Sequence, residues 1–307
     1  MNNIINKLQE LESQTIKNIK SSKSHNTLRA YKADMLSFEK FCISLNLKSL
    51  PAEPKTVSLF ITEMSKNSKL STIKRKLASI KVTHKMAGQY IDLKNPVIIE
   101  NLNSVKKQIG SFQKSKKPIL INELKSIICE IEKEKSIKIK LRDKALLLVG
   151  FSGAFRRSEL VSIEFEDLDF VKEGVKIFIK KSKTDQTGEG MIKALPYFNN
   201  NEICPVVSLK KWTQFLENNK ILKNKIFDMS DKNVALIVKK YAGLAGLDSQ
   251  KYAGHSLRSG FATSTAENGA EERQIMAMTG HKSSQMVRRY IQEGNLFKNN
   301  ALNKINL

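Results

Sequence analysis

Along residues 26–46, NTLRAYKADMLSFEKFCISLN, apolar side chains return at Leu28, Tyr31, Met35, Phe38, Cys42 and Leu45. Steps of three and four place them on one face of a helix, which Asn26-Thr27 start. The turn LPAEPK at 50–55 closes that unit, and 56–65 reads as a second, shorter helix. Residues 71–87, STIKRKLASIKVTHKMA, carry Ile73, Leu77, Ile80 and His84 on an apolar stripe. Lys74, Arg75, Lys81 and Lys85 occupy the opposite face, Lys76 lies alongside, and Gly88 is the stop. His84 therefore reads as a core histidine, while His25 has no partner at useful spacing. A fourth helix covers 96–109 and ends at Gly110.

Residues 110–118, GSFQKSKKP, show no periodicity and read as a flexible basic linker of the kind that lets two domains close around a duplex. It divides a helical domain, 1–109, from a second one at 119–293, followed by a tail at 294–307. The second domain opens with helices at 121–132 and 141–150. A tight turn, a short helix and an acidic bend follow at 151–170. Val175, Ile177 and Ile179 then alternate, TDQTGEG supplies turn residues, and 191–195 returns, predicting a β-hairpin. Helices are predicted at 205–217, 232–243, 255–268, 271–278 and 283–292. The tail carries Leu296, Phe297, Ala301, Leu302 and Ile305 in a loosely helical pattern. The expected fold is mainly α with a small β-hairpin or sheet, in two domains.

Composition adds one strong constraint. With 307 residues there is chain for about two cores, and 40% hydrophobic residues is ordinary for a globular protein. The charge is not: 53 Lys and Arg against 30 Asp and Glu give +23. A polyanion is the natural partner of such a surface, although a lysine-rich background composition produces the same excess. Residues 1–117 hold 22 basic and 8 acidic side chains, net +14, so the smaller domain is the more basic one. Cys42, Cys129 and Cys204 are far apart and lack metal-ligand spacing, which reads as three reduced structural thiols. Neither a membrane-length apolar run nor a signal-peptide block is present, so the expected location is cytoplasmic or nucleoid-associated.

The chemistry gathers in 254–292, GHSLRSGFATSTAENGAEERQIMAMTGHKSSQMVRRYIQ. His255 and Arg258 stand three apart, on one helix face. A Gly280-His281 turn follows, and Tyr290 comes nine residues after His281 in a new helical run. Upstream, FRRSEL offers Arg156 three before Glu159, with Arg157 adjacent, and the hairpin offers Lys183 in SKT. Opening a phosphodiester without metal requires cations on its non-bridging oxygens, a nucleophile, and an acid for the leaving oxygen. Arginine suits the first role because its planar fork donates two hydrogen bonds and keeps its charge.

Taken singly these residues are commonplace: a lone tyrosine packs, a hairpin lysine is solvated, and Arg-Arg-Ser-Glu starts a helix. In this order the chain resembles the phage integrase family of tyrosine recombinases, across about residues 20–307. The resemblance implies that Arg156 and Arg258 clamp the phosphate, with Glu159 supporting the site. It implies that Lys183 protonates the 5′ oxygen, His255 handles a proton near Tyr290, and His281 bonds a phosphate oxygen. Tyr290 is the implied nucleophile, forming a 3′-phosphotyrosine. The spacing to Glu159 favours Arg156 over Arg157. The first domain is similar to the core-binding domain of Cre-like members, which implies DNA contacts at Lys74, Arg75 and Lys76. At His281 the chain departs from the Cre-like tryptophan and agrees with the wider family.

The implied activity is site-specific strand exchange through a four-way junction, with no metal or other cofactor. The implied partners are double-stranded DNA with an inverted-repeat site and three further copies of the chain, a homo-tetramer on two sites. The tail is expected to reach a neighbouring protomer. Two other readings use the same residues. A type IB topoisomerase relaxes DNA by the same chemistry, but the compact layout and the tail beyond Tyr290 favour a recombinase. A non-catalytic DNA-binding regulator is disfavoured by competent residues at every catalytic position.

Overall fold

The computed structural model describes residues 2–21, 23–110, 115–180, 190–221, 224–281, 283–298 and 301–305. The chain divides into two compact units, Met1–Lys114 and Ser115–Leu307.

The first unit is helical: α1 (Asn2–Ser21), α2 (His25–Ser44), α3 (Pro54–Ser65), α4 (Leu70–Met86) and α5 (Pro96–Ile109). Helix α1 has no counterpart in the predicted periodicity. Its Ile4, Leu8 and Leu11 share a face that is left exposed. The other four helices meet over Met35, Phe38, Cys42, Val57, Phe60, Ile61, Ile73, Leu77, Ile80 and Ile98. His84 is fully buried. Its Nε2 accepts from the Ala52 amide at 2.9 Å and its Nδ1 donates to Ile80 O at 2.8 Å, so the neutral imidazole is spent on packing α4 against the 50–53 turn.

The second unit contains α6 (Ile121–Glu132), α7 (Ile137–Ser152), α8 (Arg157–Leu160), β1 (Leu168–Val171), β2 (Gly174–Ile179), β3 (Met191–Pro196), α9 (Pro205–Asn218), α10 (Asp231–Leu244), α11 (His255–Glu267), α12 (Glu272–Thr279) and α13 (Ser284–Gly294). Helix α7 is apolar all round from Ala145 to Val149, as a central helix must be, and α6, α9, α10 and α11 pack about it. The predicted hairpin supplies β2 and β3 of a three-stranded antiparallel sheet, β1-β2-β3. The expected acidic bend forms a short 3-10 turn, Phe165–Asp167, and then β1. Charged positions there hid the strand, because β1 is an edge whose Asp169 and Phe170 face solvent. In the register, Ile177 lies opposite Lys193 and Val175 opposite Leu195, so all four share the core-facing side. A satellite core of Ala262, Ala266, Ile275, Val287 and Tyr290 joins α11, α12 and α13. Among the described residues, no helix is long and apolar enough to cross a membrane.

Residues 115–119, read from composition mostly as flexible linker, form an extended strip on the second unit. Lys117 N donates to Lys251 O at 2.8 Å and Ile119 N to Ser256 O at 2.9 Å. The strip belongs neither to a helix nor to a sheet ladder, so no periodicity announces it. It crosses α11 at Gly260, where an added Cβ would lie 1.9 Å from Ile119 O. Gly260→Ala is therefore expected to push the strip off α11, at a cost of about 1–3 kcal/mol. A urea titration reads this as a lower midpoint at unchanged slope; a wild-type midpoint would show that the crossing is not tight.

Candidate active site

Two short backbone segments frame the site. One, Gly153–Arg156, leaves the C-terminus of α7 and enters α8. The other, Thr279–His281, leaves the C-terminus of α12, where Gly280 turns the chain with φ +61°.

Arg156 sits at the N-cap of α8. Glu159, 2% exposed, accepts the Arg156 amide on Oε2 at 2.9 Å and its Nη1 on Oε1 at 2.6 Å. One carboxylate thus caps the helix and fixes the guanidinium. The other terminal nitrogen, Nη2, lies 3.5 Å from Gly280 O. Arg258 projects from the first turn of α11 and is 1% exposed. Its Nη1 donates to Ala154 O at 2.8 Å and its Nη2 to His281 Nε2 at 3.2 Å. Burial, and next the repulsion of Arg156, lower its pKa to about 10, still charged at neutral pH; Glu159 works in the opposite direction.

The hydrogen-bond chain fixes the tautomer of His281. Thr279 Oγ1 donates to Ile275 O at 2.7 Å, so it accepts from His281 Nδ1–H at 2.8 Å, leaving Nε2 as the acceptor for Arg258. Burial first, then Arg258 and Arg156, push the imidazole pKa down to about 4. The neutral ring is consequently turned to Arg258.

Tyr290 is 5% exposed, its ring part of the satellite core and its Oη 3.4 Å from His255 Nε2. Burial raises the phenol pKa, only partly countered by Arg258. His255 is exposed over part of its surface, yet desolvation of the rest and then Arg258 lower its pKa. At neutral pH a protonated phenol therefore faces an unprotonated imidazole, the pairing a nucleophile and its base require.

The structure thus brings Arg156, Glu159, His255, Arg258, His281 and Tyr290 together. Lys183 lies outside the described residues. Among the expected DNA contacts, Lys74 is exposed, whereas Arg75 is ion-paired to buried Asp34, and Lys76 donates to Ser37 Oγ at 2.6 Å with its ammonium 5.4 Å from the Phe60 ring centroid. Arg157, the alternative first clamp, points instead to Asp231 at 3.6 Å. Sequence reasoning missed Lys193 on β3, which is buried beside the clamps. Strand alternation sets Lys193 in phase with Leu195, but which phase faces the core is decided by the register against Val175 and Ile177, so the sequence alone did not single it out. Among the described residues no group of three or more His, Cys, Asp and Glu side chains could hold a metal ion.

Comparison with known proteins places these features in context. The sequence profile of the phage integrase family matches residues 119–295, and that of the phage integrase N-terminal SAM-like domain matches residues 5–89. The chain is similar to an integrase/recombinase xerD homolog of Selenomonas ruminantium, 41% identical over 302 residues, covering 94% of this chain and 87% of that protein. It is also similar to tyrosine recombinase XerC of Thermodesulfovibrio yellowstonii, 30% identical over 87% of this chain and 85% of the relative. By fold it resembles XerH recombinase in a post-cleavage complex with palindromic difH substrate, at TM-score 0.68 and 19% identity, covering 90% and 78% of the two chains. The Tn1549 transposon integrase with transposon right end DNA gives 0.66 and 18%, covering 92% and 93%.

The depressed pKa of His281 makes stability depend on pH. Between about 4, its folded value, and about 6.5, its unfolded value, the unfolded chain binds more protons, so stability rises with pH across that window. His281→Gln is expected to be less stable than the parent at pH 7, with the gap narrowing as pH falls from 6.5 towards 4. Paired urea titrations at several pH values measure it, and a constant gap would contradict the neutral half-buried imidazole.

Proposed function

The chain belongs to the phage integrase family and is a tyrosine recombinase, a site-specific DNA strand-exchange enzyme, and from that premise we propose a role for each residue of the site. Tyr290 Oη gives its proton to His255 Nε2 and attacks a DNA phosphorus. The bond to the 5′ oxygen breaks, and that oxygen takes a proton from Lys183. The product is a 3′-phosphotyrosine and a free 5′ hydroxyl. Reversal with the hydroxyl of another strand restores the phosphodiester and the phenol, so no energy source is consumed.

Arg156 and Arg258 take the negative charge that grows on the non-bridging oxygens. Because Glu159, Gly280 O and Ala154 O already hold them, little reorganisation is needed when the phosphate arrives. A phosphate on Arg258 competes with His281 Nε2 for Nη2; to bond a phosphate oxygen the released ring must present an N–H, by taking up a proton on Nε2 or by swinging Nδ1–H away from Thr279. The observation that carries this reading is the approach of Tyr290 Oη to His255 Nε2 beside two pre-positioned arginines.

The partners follow from the same reading. Double-stranded DNA is the proposed substrate; XerH recombinase was solved bound to a palindromic difH substrate and the Tn1549 integrase in complex with transposon right end DNA. Lys74, Arg75 and Lys76 contribute to its grip from the first unit, within the cytoplasm. The tail supports a homo-tetramer on inverted repeats: Leu296, Phe297, Leu302 and Ile305 all stand more than half exposed, apolar side chains that a neighbouring copy would cover.

The covalent step is tested on a nicked suicide substrate resolved by denaturing gel. Tyr290→Phe removes only the nucleophilic oxygen, so site binding should persist and the covalent adduct vanish; an adduct in that variant would overturn the assignment. Lys183→Ala should be rescued by a substrate with sulfur at the 5′ bridging position, since sulfur departs without a proton. Equal defects on the oxygen and sulfur substrates would remove Lys183 from the acid role.

A further inference from the structure

Lys193 is 1% exposed, and the hydrophobic neighbours of a core strand would ordinarily exclude an amine. Its position in β3 is dictated by register, because it pairs with Ile177 and shares the inward face with Leu195. Its Nζ donates to Gly153 O at 2.6 Å and to Met278 O at 2.7 Å, and stands 4.5 Å from the Phe155 ring centroid. Gly153 caps the C-terminus of α7, and Met278 lies in the last turn of α12. The carbonyls at such ends lack helical partners and carry the negative end of the helix dipole. One amine thus closes two helix ends at once.

What leaves those ends is the catalytic frame. From Gly153 the chain runs in three residues to Arg156, and Ala154 O on the way holds Arg258. From Met278 it runs in three residues to His281, with Gly280 O facing Arg156. Among the described residues the same two segments are bridged by Arg156, by Arg258 through His281, and by Lys193. Of these, Lys193 comes from the sheet.

We propose that Lys193 is a positioning residue of the recombinase, whose bonds to Gly153 O and Met278 O set the separation of the two segments that aim Arg156, Arg258 and His281 at the phosphate. Both bonds survive loss of its proton, because a neutral amine keeps two N–H donors for two carbonyls. That property matters here: burial first, with Arg258 and Arg156 adding to it against Glu159, draws its pKa down to about 7. The inference rests on the strand-transfer reading of the site.

Full-length Lys193→Met and Lys193→Arg, with the parent and Tyr290→Phe beside them, test it well below their melting temperatures. Half-site affinity is read by gel shift, and single-turnover adduct formation on the nicked substrate gives the rate. Lys193→Met should bind like the parent and form adduct roughly a hundredfold more slowly, the scale of loss when reacting groups are misplaced by about 1 Å. Sulfur at the 5′ bridging position should not restore it, unlike Lys183→Ala, and Lys193→Arg should recover part of the rate. Parent-like adduct formation in Lys193→Met, or parallel loss of binding and rate, overturns the proposal; so does rescue by sulfur. If Lys193→Met does not fold, Lys193→Gln, which keeps a two-hydrogen donor, is read by the same split. Absence of adduct in the parent would refute the strand-transfer reading itself, a result separable from all of these.

Discussion

The second unit is built around an arginine that cannot reach water. Arg258 carries a guanidinium at 1% exposure, and a buried cation without acceptors would cost several kcal/mol. Ala154 O and His281 Nε2 supply two acceptors, and Glu159 supplies the nearby negative charge. Those requirements fix where the α7–α8 turn and the Gly280-His281 turn must lie. The neutrality of His281 is part of the same solution, since a protonated ring would place a second cation against the first.

The satellite core answers a different need. A tyrosine that attacks phosphorus has to be held still without being ionised prematurely. Val287 and Tyr290 pack on Ala262 and Ala266 of α11, the helix that also presents His255 and Arg258. Small residues on α11 allow α13 to approach closely, so one helix positions the proposed base, clamp and nucleophile together. Burial raises the phenol pKa while the arginines oppose it, leaving the hydroxyl protonated until a base takes the proton.

In the first unit, charge is divided between surface and scaffold. Asp34 is buried and takes both Arg75 and Ser79 Oγ, the latter at 2.8 Å. Lys76 lies on α2 through Ser37. These bonds brace α4 against α2 and present the helix as a firm basic edge, with Lys74, Lys81 and Lys85 exposed beside Arg75.

Most helix positions, the family and the residues proposed for the site were legible because each has a local signature: periodic apolar positions, Arg-x-x-Glu, His-x-x-Arg, and a tyrosine at fixed distance. Even the burial of His84 followed from its place on the α4 stripe. Long-range pairing was not legible. Nothing local distinguishes the 115–119 strip from a loose linker, because its hydrogen bonds go to Ser256 and Lys251, far along the chain. Nothing in MIKALP says that Ile192 lies 65% exposed while Lys193 is buried. Alternation allows either face, and the register opposite Val175 and Ile177 chooses. Sequence alone determined which chemistry this chain carries, since that depends on side-chain identity and spacing; tertiary structure decided which cations meet which carbonyls, since those acceptors are backbone groups that every residue possesses and only folding aims.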